Sequence, residues 1–261
     1  TGARIYNSKI IDLQSAPLPY RTKASASGSW NNSSNWEHGN IWDIYSVTPD
    51  CAIIQLRGDL EISDSISTIG LILDSGSSLT VNGDYGLTNS WYLKLDGKID
   101  LEGESQLIQT EDSTLDATST GTLEKDQQGT ADTFTYNYWA SPVGKSNNST
   151  NNNDFNVTDI FSNVNFLSAG YNGTASPLGI ADYWIWKFSN RLSDDYASWQ
   201  HVRQSGTLKV GEGFTMKGPG SGNISDEQTY VLEGKPNNGD IDLSISAGND
   251  YLVGNPYPSA I

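Results

Sequence analysis

The sequence predicts an all-β protein: an N-terminal β-solenoid, parallel β-helix-like, over 28–126, then a β-sandwich-like domain over 127–261, after an extended lead-in at 1–27. Three observations carry that prediction. No helix-length window holds an i, i+3, i+4, i+7 apolar stripe free of Gly, Pro or Asn. Short alternating runs recur instead, among them "AIIQL", "LILD", "YLKLDGKIDL", "TLKV", "YVLEG", "IDLSIS" and "YLVG". Within the first half, apolar pairs return about every twenty residues, as stacked coils require.

The pairs are Leu60 and Ile62, Leu79 and Val81, and Ile99 and Leu101, with Gly58, Gly76 and Gly97 shortly before them. Gly121 with Leu123 marks a looser turn of the same pattern. A coil cannot bury its apolar face alone, so its neighbours must complete the core. Regular hairpins of an ordinary sandwich are the competing reading. A solenoid end exposes core and strand edges. Trp30, Trp36 and Trp42 in "GSWNNSSNWEHGNIWD" suit a cap there, with a ligand patch as the other reading.

Residues 127–135, "QQGTADTFT", read as the passage into the second domain. "KSNNSTNNND" (145–154) has no apolar residue to bury and reads as a mobile surface loop. Later strands return between the Gly- and Pro-rich corners "KGPGSG" and "GKPNNGD". The final "NPYPSAI" carries no polar tail, so the chain is expected to be cut from a longer protein.

The densest aromatic stretch is "DYWIWKF" (182–188), with "NYWASP" upstream. As a strand it places Trp184, Trp186 and Phe188 on one face and Lys187 on the other. Those three rings either fill the sandwich core, the favoured reading, or form a platform for sugar rings. "NNGDID" sets Asp240 and Asp242 on one strand face beside an Asn-Gly turn. That is an ordinary polar corner, the favoured reading, or a Ca2+ site; no other cofactor is expected.

Asp and Glu number 31 against 15 Lys and Arg, a formal charge of −16, which repels phosphate backbones and argues against nucleic acid. No run approaches the ~18 apolar residues of a membrane helix. Cys51 stands alone, so no intrachain disulfide forms, and a buried apolar role is expected. His38 and His201 are far apart, and no Gly-x-Ser-x-Gly elbow accompanies them. No catalytic residues emerge, and the expectation is that the chain is not an enzyme.

The stretches "TGARIYNSKIIDL", "GTLEKDQQGTADTFTYNYWASPVG", "VGEGFTMKGPG", "YVLEGKPNNGDI" and "YLVGNPYPSAI" resemble large secreted, adhesin-like surface proteins of bacteria that use type IX secretion. The resemblance covers nearly the whole chain, and "NYWASPVG", "GKPNNG" and "GNPYPSA" are its most specific blocks. It implies export, an extracellular or outer-surface location, and further modules of the same larger protein as neighbours. It supplies no catalytic residues. "DSI" and "DST" resemble the O-glycosylation acceptor of such bacteria, which points to Ser65 and Ser113. The expected role is a non-enzymatic structural or adhesive segment, open to self-association or to a surface glycan. The alternative is a carbohydrate-binding module of an extracellular glycan-degrading protein.

Overall fold

The computed structural model describes residues 4–6, 9–11, 19–37, 53–220 and 222–260, in two units, Thr1–Ser119 and Thr120–Ile261. Among the described residues the one α-helix is the single turn Val157–Ile160, and strands make up most of the regular structure. The chain is all-β.

The first unit is a β-solenoid of about four turns. Its coils present three faces, and on each the same kind of side chain returns directly above itself. Ile54 aligns with Leu71, Leu71 with Leu93, and Leu93 with Leu115. Leu60, Leu79 and Ile99 form the second column, and Ile66, Leu87 and Leu107 the third. All ten are at most 3% exposed. The residues between them, such as Thr80 and Asp100, are only half-buried, as a strand's alternation demands. Corners are equally constrained. A Cβ on Gly97 would lie 2.3 Å from the Ser77 carbonyl oxygen of the preceding coil.

One corner carries a buried polar ladder. The Asn89 side-chain amide donates to Thr68 Oγ1 (3.2 Å) and to the Tyr92 carbonyl (3.1 Å). Ser113 Oγ donates to Asn89 Oδ1 at 2.7 Å. Three successive coils therefore satisfy one another's polar groups.

The solenoid begins earlier than its sequence spacing predicts. Tyr20–Arg21 pairs in parallel with Ile53–Leu56, and Ser27–Ser29 with Asp59–Ile62. Part of the expected lead-in is thus a first coil. Its strands are too short for a hydrophobic pattern, and Gly28 sits where Leu60 stands in the next coil. Apolar bulk at this coil comes from Trp30 and Trp36, 1% and 0% exposed, packed edge to face at 5.1 Å. The Trp36 indole N–H donates to the Trp30 carbonyl at 2.9 Å. His38, Trp42 and Cys51 lie outside the described residues.

In the second unit, Thr122–Thr130 pairs antiparallel with Glu227–Pro236 along its whole length, from Leu123 with Gly234 to Thr130 with Glu227. The looser turn at Gly121–Leu123 and the passage expected at 127–135 both fall on this strand or its exit. The division between units accordingly lies at Ser119, seven residues before the expected 126. A four-stranded antiparallel sheet places Tyr136–Trp139, Phe214–Lys217, Trp186–Lys187 and Gln200–His201 side by side. The core joins these layers through edge-to-face rings: Trp139 with Tyr230 at 5.1 Å and Phe161 with Phe214 at 6.4 Å.

Three expectations for this unit are corrected. "DYWIWKF" is not one strand: Asp182–Trp184 is a 3-10 turn, and Ile185 is the fully buried residue. "IDLSIS" forms no strand. The loop 145–154 is pinned: the Lys235 ammonium donates to the carbonyls of Asn147 (3.1 Å) and Thr150 (2.9 Å). Asn152 and Asn238 exchange two further bonds. Polar composition hid these anchors because they are backbone contacts.

Three of the sequence blocks converge. Asn237, 1% exposed, donates to the Ser141 carbonyl (3.1 Å) and the Pro256 carbonyl (2.9 Å), tying "GKPNNG" to "NYWASPVG" and "GNPYPSA".

Leu79→Ala, in the middle of its column, is expected to destabilise the protein by about 2–5 kcal/mol, measured by denaturant unfolding. Asn237→Ala strands two buried carbonyls and is expected to cost about 1–3 kcal/mol, read as a lowered Tm with the strand signal in circular dichroism retained.

Candidate functional site

The four-stranded sheet of the second unit carries an aromatic groove of about 510 Å³. Five elements build it. Tyr136 and Tyr138 come from the strand at one sheet edge, and Tyr183 and Trp184 from the first 3-10 turn. Trp186 follows on the strand Trp186–Lys187, Tyr196 and Ala197 come from a second 3-10 turn, Tyr196–Ser198, and Trp199 from the residue after it. Thr215 completes the lining.

Each turn is held by a carboxylate. Asp182, 1% exposed, accepts from the Arg203 guanidinium (3.2 Å) and from the Gln204 backbone N–H (3.3 Å). Asp195 accepts from the Ala197 N–H (3.0 Å) and the Ser198 hydroxyl (2.8 Å), starting the second turn. Fixing the turns fixes their rings.

The rings are fixed individually as well. The Trp184 indole N–H donates to the Tyr171 carbonyl at 2.7 Å. The Lys217 ammonium lies 3.8 Å from the Trp184 ring centre and 4.4 Å from that of Tyr136, a cation–π clamp between the two. Burial lowers the Lys217 pKa, against the opposing pull of Asp132. The His201 imidazole stacks on Trp186 at 4.0 Å with planes 3° apart, and its Nε2 lies 2.9 Å from the Tyr183 carbonyl. Burial lowers the His201 pKa too, which favours the neutral ring. One indole face is therefore taken by His201. The hydroxyls of Tyr138, Tyr183 and Tyr196 lie close enough to Tyr136 to raise its pKa, behind the larger effect of burial.

Beneath the strand lies a buried ion pair. The Lys187 ammonium donates to Glu212 Oε2 at 2.8 Å, and Glu212 is 1% exposed. The Lys209 N–H (2.9 Å), the Ser189 hydroxyl (2.9 Å) and the Tyr251 hydroxyl also donate to this carboxylate. Burial alone would raise the Glu212 pKa, but these donors and the lysine charge hold it below the usual value. Burial and the bond to Glu212 push Tyr251 up to about 12.

The expected residues are distributed unevenly. Trp184 and Trp186 line the groove, half-buried rather than in the core. Phe188 does not; it packs on Trp199, 5.5 Å away, which does. Asp240 and Asp242 are exposed and on no strand, because the chain leaves the sheet after Pro236. Among the described residues no group of three or more His, Cys, Asp or Glu is placed to hold a metal ion. Ser65 is half-buried and its hydroxyl accepts from the Gly86 N–H at 3.2 Å. Ser113 is 4% exposed and committed to Asn89, so its hydroxyl belongs to the polar ladder. Sequence reading missed Tyr136, Tyr138, Tyr196 and Trp199. The signal was there, in the rings of "TYNYW" and "DDYASWQH".

Glu212→Gln leaves Lys187 without its charge partner and is expected to cost about 3 kcal/mol. Because the folded pKa of Glu212 is depressed, its contribution is present above the unfolded value near 4.5 and is lost as pH falls further. Thermal melts across acid pH should therefore show a steeper loss of Tm for the parent than for Glu212→Gln.

No helix among the described residues is long and apolar enough to cross a membrane. No curated protein and no solved structure matches the chain. One family model does match, over residues 22–261, and the chain belongs to that family, the domain of unknown function DUF8693.

Proposed function

We propose that the chain is a non-enzymatic, adhesive segment of a secreted or cell-surface protein, and that its aromatic groove takes the rings of a carbohydrate. The observation that carries this reading is the groove: indole and phenol rings from four elements converge around one cavity instead of entering the core. Keeping Tyr138 66% and Tyr196 87% exposed leaves apolar surface in water, which a binding site accounts for. Sugar rings offer apolar C–H faces to stack on indoles and hydroxyls for the phenols. The volume falls within the ~300–1,000 Å³ typical of small-molecule sites.

The resemblance to adhesin-like surface proteins supports export by type IX secretion and placement among further modules. The solenoid supports a scaffold role, since stacked coils resist bending along their axis. In this reading the first unit is stalk and the second is contact surface.

Tryptophan fluorescence titrated with a panel of soluble glycans tests the reading. Binding should shift or quench the emission, and Trp186→Ala should weaken it by about tenfold while leaving the Tm near that of the parent. A panel in which no glycan binds, or binding that ignores Trp186→Ala, would overturn it.

A further inference from the structure

We infer that the groove selects a neutral polysaccharide and discriminates against chains that carry uronate or sulfate groups; this rests on the carbohydrate reading above. The argument starts from charge. No Asp, Glu, Lys, Arg or His is among the described residues lining the groove: the lining is aromatic apart from Ala197 and Thr215. Thr215 is itself occupied, donating to the Trp184 carbonyl (2.9 Å) and accepting from the Trp186 N–H (3.2 Å).

Cations near the groove are already engaged. The Lys217 ammonium is held on the faces of Tyr136 and Trp184. Arg203 is committed to Asp182, and Lys187 to Glu212. An anionic sugar would meet no cation among the lining residues, and burying an unpaired charge is costly. It would also approach a chain of net charge −16, whose field repels polyanions.

What the groove offers suits hydroxyls. Tyr136, Tyr138, Tyr183 and Tyr196 each bring a phenol that both donates and accepts, as each sugar hydroxyl does. A carboxylate or sulfate only accepts, so it uses half of that capacity. Trp186, half-buried and lining the groove beside His201, supplies stacking surface.

Affinity electrophoresis of the full chain through gels holding hydroxyethylcellulose, xyloglucan or galactomannan, against alginate or polygalacturonate, separates the possibilities. At least one neutral polymer should bind about tenfold or more tighter than either polyuronate. Raising salt from low to physiological should change that binding by less than about twofold. Trp186→Ala should weaken the retardation by about tenfold and Trp186→Phe by less, which separates ring loss from misfolding. Tighter binding of a polyuronate, weakened by salt and by Lys217→Gln, would overturn the neutral selectivity and leave the carbohydrate reading standing. Retardation by neither class would overturn both.

Discussion

A carboxylate shut away from water stays ionised only where cations and N–H groups surround it, and Glu212 imposes that requirement on the second unit. Lys187 meets it from the middle of the aromatic stretch. Once Lys187 turns towards Glu212 and Ile185 enters the core, the strand's alternation sends Trp186 to the opposite face. His201 then closes one side of that indole, and the two 3-10 turns bring further rings alongside. The groove is what remains when one buried charge is satisfied.

The same parity explains what the sequence concealed. "DYWIWKF" has rings at positions that alternate, so either set can be assigned to the interior. Hydrophobicity favours the tryptophans. The pairing of Lys187 with Glu212, twenty-five residues later, decides otherwise, and nothing local records it. The solenoid was legible for the opposite reason. Leu60, Leu79 and Ile99 carry their own register, because each coil repeats the demand of the last. Where a coil lacks that pair, as at Ser27–Ser29, the pattern falls silent although the coil is present.

The convergence at Asn237 gives the blocks "NYWASPVG", "GKPNNG" and "GNPYPSA" a physical meaning. Each contributes backbone or a small residue to a site with no room for bulk: a Cβ on Gly254 would lie 2.5 Å from the Ala140 Cβ, and one on Gly234 would lie 2.5 Å from the Gly144 carbonyl oxygen. Motifs that look like signatures of binding are here the joinery of a fold. One of these blocks serves both places: "NYWASPVG" supplies the Ser141 carbonyl that Asn237 holds and also Tyr138, which lines the groove.

The three aliphatic columns also set how such a chain can change length. Deleting one residue inside a rung would rotate every later side chain of that strand, turning leucines towards solvent. Gaining or losing an entire coil keeps all columns aligned and asks only for a new corner. The bulge between Thr68 and Gly70 shows where slack of a single residue is absorbed without disturbing Leu71 or Leu87. Relatives built on this plan can therefore lengthen by whole steps, with the hydrophobic interior acting as the ruler.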